Sequence, residues 1–121
     1  MYQVIWQDTG KIEFQLSGTI TDDEFIQVIH QLESLCTQNY AIHVLFDAQT
    51  LESYALKIML TNYDFYKKYS THLKRLAIVS DSSFNEIILN LFNRFLEVEI
   101  QHFEPENVEA ARSWIFPSKL P

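Results

Sequence analysis

Ser53 is the side chain whose neighbours best suit it to chemistry. It stands in Thr50-Leu51-Glu52-Ser53-Tyr54, between an apolar run that ends at Asp47 and a helical pattern that begins near Ser53 itself. A hydroxyl at a helix start, beside an acidic residue, can accept a phosphate, because the exposed amides and the helix dipole stabilise the added charge. The same position also suits a plain helix cap, a role open to Ser53 or to Thr50. Asp47 closes the run Ile42 to Phe46, and in open α/β sheets ligands gather outside the carboxyl ends of the strands. Asp is equally a common turn residue. Asp47, Thr50, Glu52 and Ser53 thus form one candidate switch loop.

The other chemistry-bearing residues do not assemble. Gly10 and Gly18 are the only glycines, so no glycine-rich loop is present to cradle a phosphate. Neither stands near a serine in the manner of a nucleophile elbow. His30, His43, His72 and His102 show no ligand spacing, and no metal or cofactor is expected. No aligned pair of carboxylates can be picked out for acid–base work, so the chain reads as a non-enzyme. His43 interrupts an apolar run and reads as a part-buried imidazole bonded to a neighbour. Cys36 is the only cysteine, which excludes an internal disulfide and a thiolate metal site within the chain. It falls on the apolar face of a helix and reads as a core residue.

Composition sets the frame for these residues. A chain of 121 residues, 47% hydrophobic, is long enough for one core, and a single domain over residues 1–121 is expected. Sixteen acidic against nine basic side chains give a net charge of -7, which disfavours non-specific binding to nucleic acid. Lys67, Lys68, Lys74 and Arg75 cluster, and read as a solvated helix end. No basic segment followed by an apolar stretch marks a signal peptide, and no apolar run reaches the roughly 18 residues of a membrane span. A cytoplasmic location is the expectation.

The elements that must position the loop follow from periodicity. Tyr2–Gln7 and Lys11–Ser17 make a hairpin around Asp8-Thr9-Gly10; Ile12, Phe14 and Leu16 alternate with polar residues. Thr21 and Glu24 form a capping box for a helix whose stripe is Phe25, Val28, Ile29, Leu32, Leu35 and Cys36, with His30 at its boundary. Ile42–Asp47 is a buried strand, of the near-continuous apolar kind found in parallel sheets covered on both faces. A second helix, about Ser53–Tyr69, is apolar over most of its circumference. Arg75–Val79 is a further strand, and Ser83 with Glu86 caps a third helix. Val98–Phe103 alternates as a last strand, and Pro105 opens a last helix carrying Val108, Ala111 and Trp114. The fold class is α/β: a mixed β-sheet with an N-terminal hairpin and about four flanking helices, in the order ββαβαβαβα.

This order, and several stretches, resemble the SpoIIAA-like family of STAS domains, also described as STAS/CRAL-TRIO-like. The resemblance is carried by Arg75-Leu76-Ala77-Ile78-Val79-Ser80-Asp81 and by Phe103 followed by Ala110-Ala111-Arg112-Ser113-Trp114. Gly18 to Asp23 and the strand-end Asp47 extend it over nearly the whole chain. It implies a STAS-like fold and a non-enzymatic regulatory module that binds a protein partner. In STAS domains of the anti-sigma-factor antagonist type an Asp-Ser pair starts the helix after the central strand, and a partner kinase phosphorylates the serine. The corresponding pair here looks like Glu52-Ser53, with Ala55 or Tyr54 where that pattern has glycine. The likeness to CRAL-TRIO domains implies an alternative: a small apolar, lipid-like ligand held between the second and third helices. Tyr54, Ile58, Met59, Tyr63, Tyr66 and Phe92 are then the lining candidates. A third reading of the wide apolar helix face is a homodimer contact.

Overall fold

A computed structural model of the chain describes residues 1–51, 68, 71–81 and 98–116. Five strands form one sheet in sequence order: β1 (Tyr2–Asp8), β2 (Lys11–Gly18), β3 (Ile42–Leu51), β4 (Leu73–Val79) and β5 (Glu99–Phe103). β1 runs antiparallel to β2, and β2 to β5 are parallel. Two α-helices are described, α1 (Asp22–Gln38) and α2 (Val108–Ile115). The expected second and third helices lie outside the described residues. What is established is a mixed α/β fold with a five-stranded sheet.

The hairpin turns where the sequence places its first glycine. Gly10 has φ +68, and a Cβ there would stand 2.6 Å from the Ala41 carbonyl, so both the turn and the close packing of β3's approach require glycine. α1 starts as its capping box dictates. Thr21 Oγ1 accepts from the Glu24 amide at 3.1 Å, and Glu24 Oε1 accepts from the Thr21 amide at 3.2 Å. The helix buries Val28, Leu32, Leu35 and Cys36, with Phe25 and Ile29 half-buried beside them. His30 is exposed rather than at the boundary.

The sheet has a core on each face. Ile12, Phe14 and Leu16 of β2, Val44 and Phe46 of β3, and Leu76 and Ile78 of β4 join the α1 stripe in the larger cluster. Leu45, Ala77 and Val79 join Ala111 and Ile115 of α2 on the opposite face. Burial on both faces is what the near-continuous apolar run of β3 foretells.

Pro105 does not open an α-helix directly. It starts a single 3₁₀ turn, Pro105–Asn107, and α2 follows from Val108. Three side chains then fasten α2 to the sheet. Arg112 reaches back to Glu13 of β2, with Nη2 to Oε2 at 3.0 Å and Nε to Oε1 at 3.1 Å. Arg75 Nη1 donates to the Trp114 carbonyl at 2.9 Å while its guanidinium lies 5.0 Å from the Trp114 ring centre. His43 Nδ1 lies 3.4 Å from the Ile115 carbonyl. Arg75 and His43 thus serve carbonyls that the end of a helix leaves without partners. The closing Ala-Arg-x-Trp sequence is accordingly a latch: Ala111 is buried, Arg112 pairs with Glu13, and Trp114 stacks on Arg75.

β1 carries a bulge between Val4 and Trp6. Val4 packs with the α1-side core, whereas Trp6, beyond the bulge, meets Phe116 with ring centres 4.1 Å apart. The extra residue re-aims the strand's side chains, as bulges do.

Candidate functional site

The candidate loop begins later than the sequence indicates. β3 does not end at Asp47; it continues through Ala48, Gln49 and Thr50 to Leu51. Thr50 pairs with Ser17 and Leu51 with Gly18, while Asp47 pairs with Gln15. Three steps on β3 therefore match two on β2, and one residue bulges. The Asp47 side chain supports the bulge: its Oδ1 accepts from the Gln49 amide at 3.3 Å. A short polar side chain bonding two residues ahead is the Asx arrangement expected of a turn, here folded into a strand. Asp47 is thus not a loop residue, although its register partner Val79 is the last residue of β4. On the β4 side it does stand at the carboxyl edge.

The residues of this edge can be placed from the register. Gln15, Asp47, Val79 and Phe103 form one row across β2 to β5. Ser80 follows Val79; it is buried, and its amide donates to the Phe103 carbonyl at 3.1 Å. His102 Nε2 lies 2.7 Å from the Ser80 carbonyl, which fixes the chain as it leaves β4. Asp81 is exposed next to it. Asp47 is 6% exposed, and Thr50 is exposed on the strand's tail.

Of the sequence-derived candidates, Asp47 and Thr50 are described, on one strand. Glu52, Ser53, Tyr54, Ile58, Met59, Tyr63, Tyr66 and Phe92 lie outside the described residues, as does any pocket between the second and third helices. Among the described residues no three His, Cys, Asp or Glu side chains group as metal ligands. No helix among them is long and apolar enough to cross a membrane. His43 is half-buried, and burial lowers its pKa below the usual imidazole value, with Arg75 and Lys11 acting in the same direction and the Ile115 carbonyl opposing. Its carbonyl contact and its place at the amino end of β3 make it a fastening for α2. Cys36 is buried in the α1 core, and burial pushes its thiol up to about 11.

Two features have no forecast in the local sequence. One is the Glu13–Arg112 pair, whose members are separated by 99 positions. Glu13 occupies a polar position of an alternating strand, yet it is 2% exposed because α2 lies over that face. The other is the strand tail after Asp47, for which the signal available was Thr50, a residue favoured in strands.

The five-stranded mixed α/β fold has counterparts. The model of the SpoIIAA-like family matches residues 11–116. The chain belongs to the SpoIIAA-like family. Among solved structures, it is similar to an uncharacterized protein of the DUF3478 family with a SpoIIAA-like fold from Shewanella loihica PV-4. The two are 21% identical, with a TM-score of 0.66 over 95% of this chain and 92% of the other. No curated protein matches the chain. The likeness to the Shewanella protein is one of fold. It agrees with the SpoIIAA-like fold that the motifs imply.

Proposed function

We propose that this SpoIIAA-like chain is a non-enzymatic regulatory module, one domain over residues 1–121, that binds a protein partner and is switched by phosphate at Ser53. The observation that carries this reading is the pinned tail of β3. The Asp47–Gln49 hydrogen bond and the pairing of Leu51 with Gly18 fix the strand up to two positions before Ser53. Ser53 follows this strand two positions on in the sequence, and a phosphate on it would add roughly -1.5 to -2 charges. The position also agrees with the phosphorylated serine of antagonist-type STAS domains.

The test compares the wild-type chain with Ser53→Ala and Ser53→Asp in affinity purification from its own host, with recovered proteins quantified. A partner whose recovery shifts in opposite directions with the two variants supports the switch. Recoveries that are the same for all three chains remove it.

A further inference from the structure

β1 is an open edge of the sheet: β2 pairs with one side of it, and among the described residues no strand pairs with the other. The ladder fixes which backbone groups the open side presents. Met1 and Ser17 exchange two hydrogen bonds of 2.9 Å, from Met1 N to the Ser17 carbonyl and from Ser17 N to the Met1 carbonyl. In an antiparallel pair, positions that exchange both bonds alternate with positions that exchange none. Gln3, opposite Gln15, therefore points its N–H and C=O at β2, whereas Tyr2, opposite Leu16, and Val4, opposite Phe14, turn theirs outward. The bulge after Val4 ends this regular stretch.

Edge strands are commonly guarded against pairing by charge, proline or shortness. β5, the other edge, has five residues and bears Glu99. Met1 to Gln7 holds no charged side chain and no proline, in a chain of net charge -7. Met1, Ile5 and Trp6 are three of the five large apolar side chains exposed among the described residues: Met1, Ile5, Trp6, Ile26 and Tyr40. The groove beside Tyr2 is lined by Gln27, His30, Gln31 and Ser34, none of them acidic.

We infer that β1 pairs with β1 of a second copy of this chain, antiparallel and about a two-fold axis at Gln3, so that two sheets become one. A second copy fits because the stretch is complementary to itself. With Gln3 opposite Gln3, Tyr2 of each copy stands opposite Val4 of the other, and all their outward N–H and C=O groups find partners. Tyr2 and Val4 turn their side chains to the α1-side core. On the opposite face, Met1 of each copy meets Ile5 of the other, which covers two of the exposed apolar side chains. The pairing stops where the bulge begins. A two-fold contact of this kind closes after two copies, and in a strongly acidic chain it uses the uncharged edge.

Sedimentation equilibrium of the full chain, with amide exchange read at low and high protein concentration, tests the pairing. A monomer–dimer equilibrium is expected, and the Tyr2 and Val4 amides should exchange more slowly as the dimer fills. Gln3 is exposed, so its variants keep the fold. Gln3→Lys and Gln3→Glu each set two like charges on Cα atoms roughly 4.5 Å apart, and each should weaken the dimer about fivefold. An equal mixture of the two should restore it, because lysine then faces glutamate. Gln101→Lys, the same change on the β5 edge, should leave the association unaltered. A dimer indifferent to both Gln3 variants, a mixture no tighter than its components, or Tyr2 and Val4 amides whose exchange ignores concentration would overturn the inference. A chain that stays monomeric at its highest soluble concentration would overturn it too, and would leave the edge to an extended segment of another protein. The measurement needs neither phosphate nor a partner, so its outcome is independent of the Ser53 switch.

Discussion

Replacing Arg112 by alanine removes the only described cation that faces the buried Glu13 carboxylate. Glu13 is 2% exposed, and three contacts between 3.0 and 3.4 Å tie it to the guanidinium. Hydrogen bonds to Glu13 are the largest cause of the raised Arg112 pKa, followed against them by desolvation and in their favour by Glu109. Breaking one side of a buried pair costs about 3–5 kcal/mol, because the remaining charge is left uncompensated. Arg112 is itself 37% exposed, so solvent screens the pair and the lower end, about 3 kcal/mol, is the appropriate figure. A chain of 121 residues has an unfolding entropy near 0.25 kcal/mol/K, so the melting temperature should fall by about 12 °C. Urea denaturation followed by circular dichroism measures the loss directly. Glu109→Ala, which removes an exposed partner of the same arginine, should change stability by less than about 0.5 kcal/mol. The double variant Glu13→Met/Arg112→Met should recover most of the loss, since an apolar pair of similar size leaves no buried charge. A loss under about 1 kcal/mol in Arg112→Ala, or a double variant no more stable than the single one, would refute the view that this pair latches α2 to the sheet.

Two further outcomes follow from the buried titratable groups. His43 has a folded pKa below its unfolded value of about 6.5, so the stability it contributes is complete above that value and is lost as pH falls through the folded one. Urea midpoints should therefore drop between about pH 7 and pH 5, with a shallower drop in His43→Gln; parallel slopes would show that His43 does not titrate with folding. Cys36, with its thiol pushed up to about 11, carries a thiolate share of only about 1 in 3,000 at about pH 7.5. Ellman's reagent should label it at the rate of global unfolding, and fast labelling of the folded chain would contradict its place in the core.

Local rules forecast much of this fold, and their failures have physical causes. The capping box of Thr21 and Glu24 marked the first turn of α1, and the alternation of Ile12, Phe14 and Leu16 marked β2 and its buried face. The tail of β3 reads locally as a turn, because Ala48-Gln49-Thr50 lacks a large apolar residue and follows an aspartate. Its extended state comes from pairing with Ser17 and Gly18 on a neighbouring strand and from the Asp47 side chain bonding inside its own bulge. Neither is visible in a local window. The bulge in β1 is hidden for the same reason, since Val4-Ile5-Trp6 reads as ordinary strand. Glu13 and Arg112 each look like surface residues until the sheet and α2 are assembled, and the same assembly gives Arg112 and Trp114 of one short motif their contacts with Glu13 and Arg75. Of the candidate switch, Asp47 and Thr50 have a structural setting. Ser53 remains a proposal built on sequence, family and the strand that leads to it.

The most direct test of that proposal is the intact mass of the chain purified from its own host, followed by fragmentation to locate any added group. The account predicts a fraction of molecules heavier by one phosphate, carried on Ser53 and absent from Ser53→Ala. A chain that is bare under every growth condition sampled, or that carries its phosphate elsewhere, would contradict it.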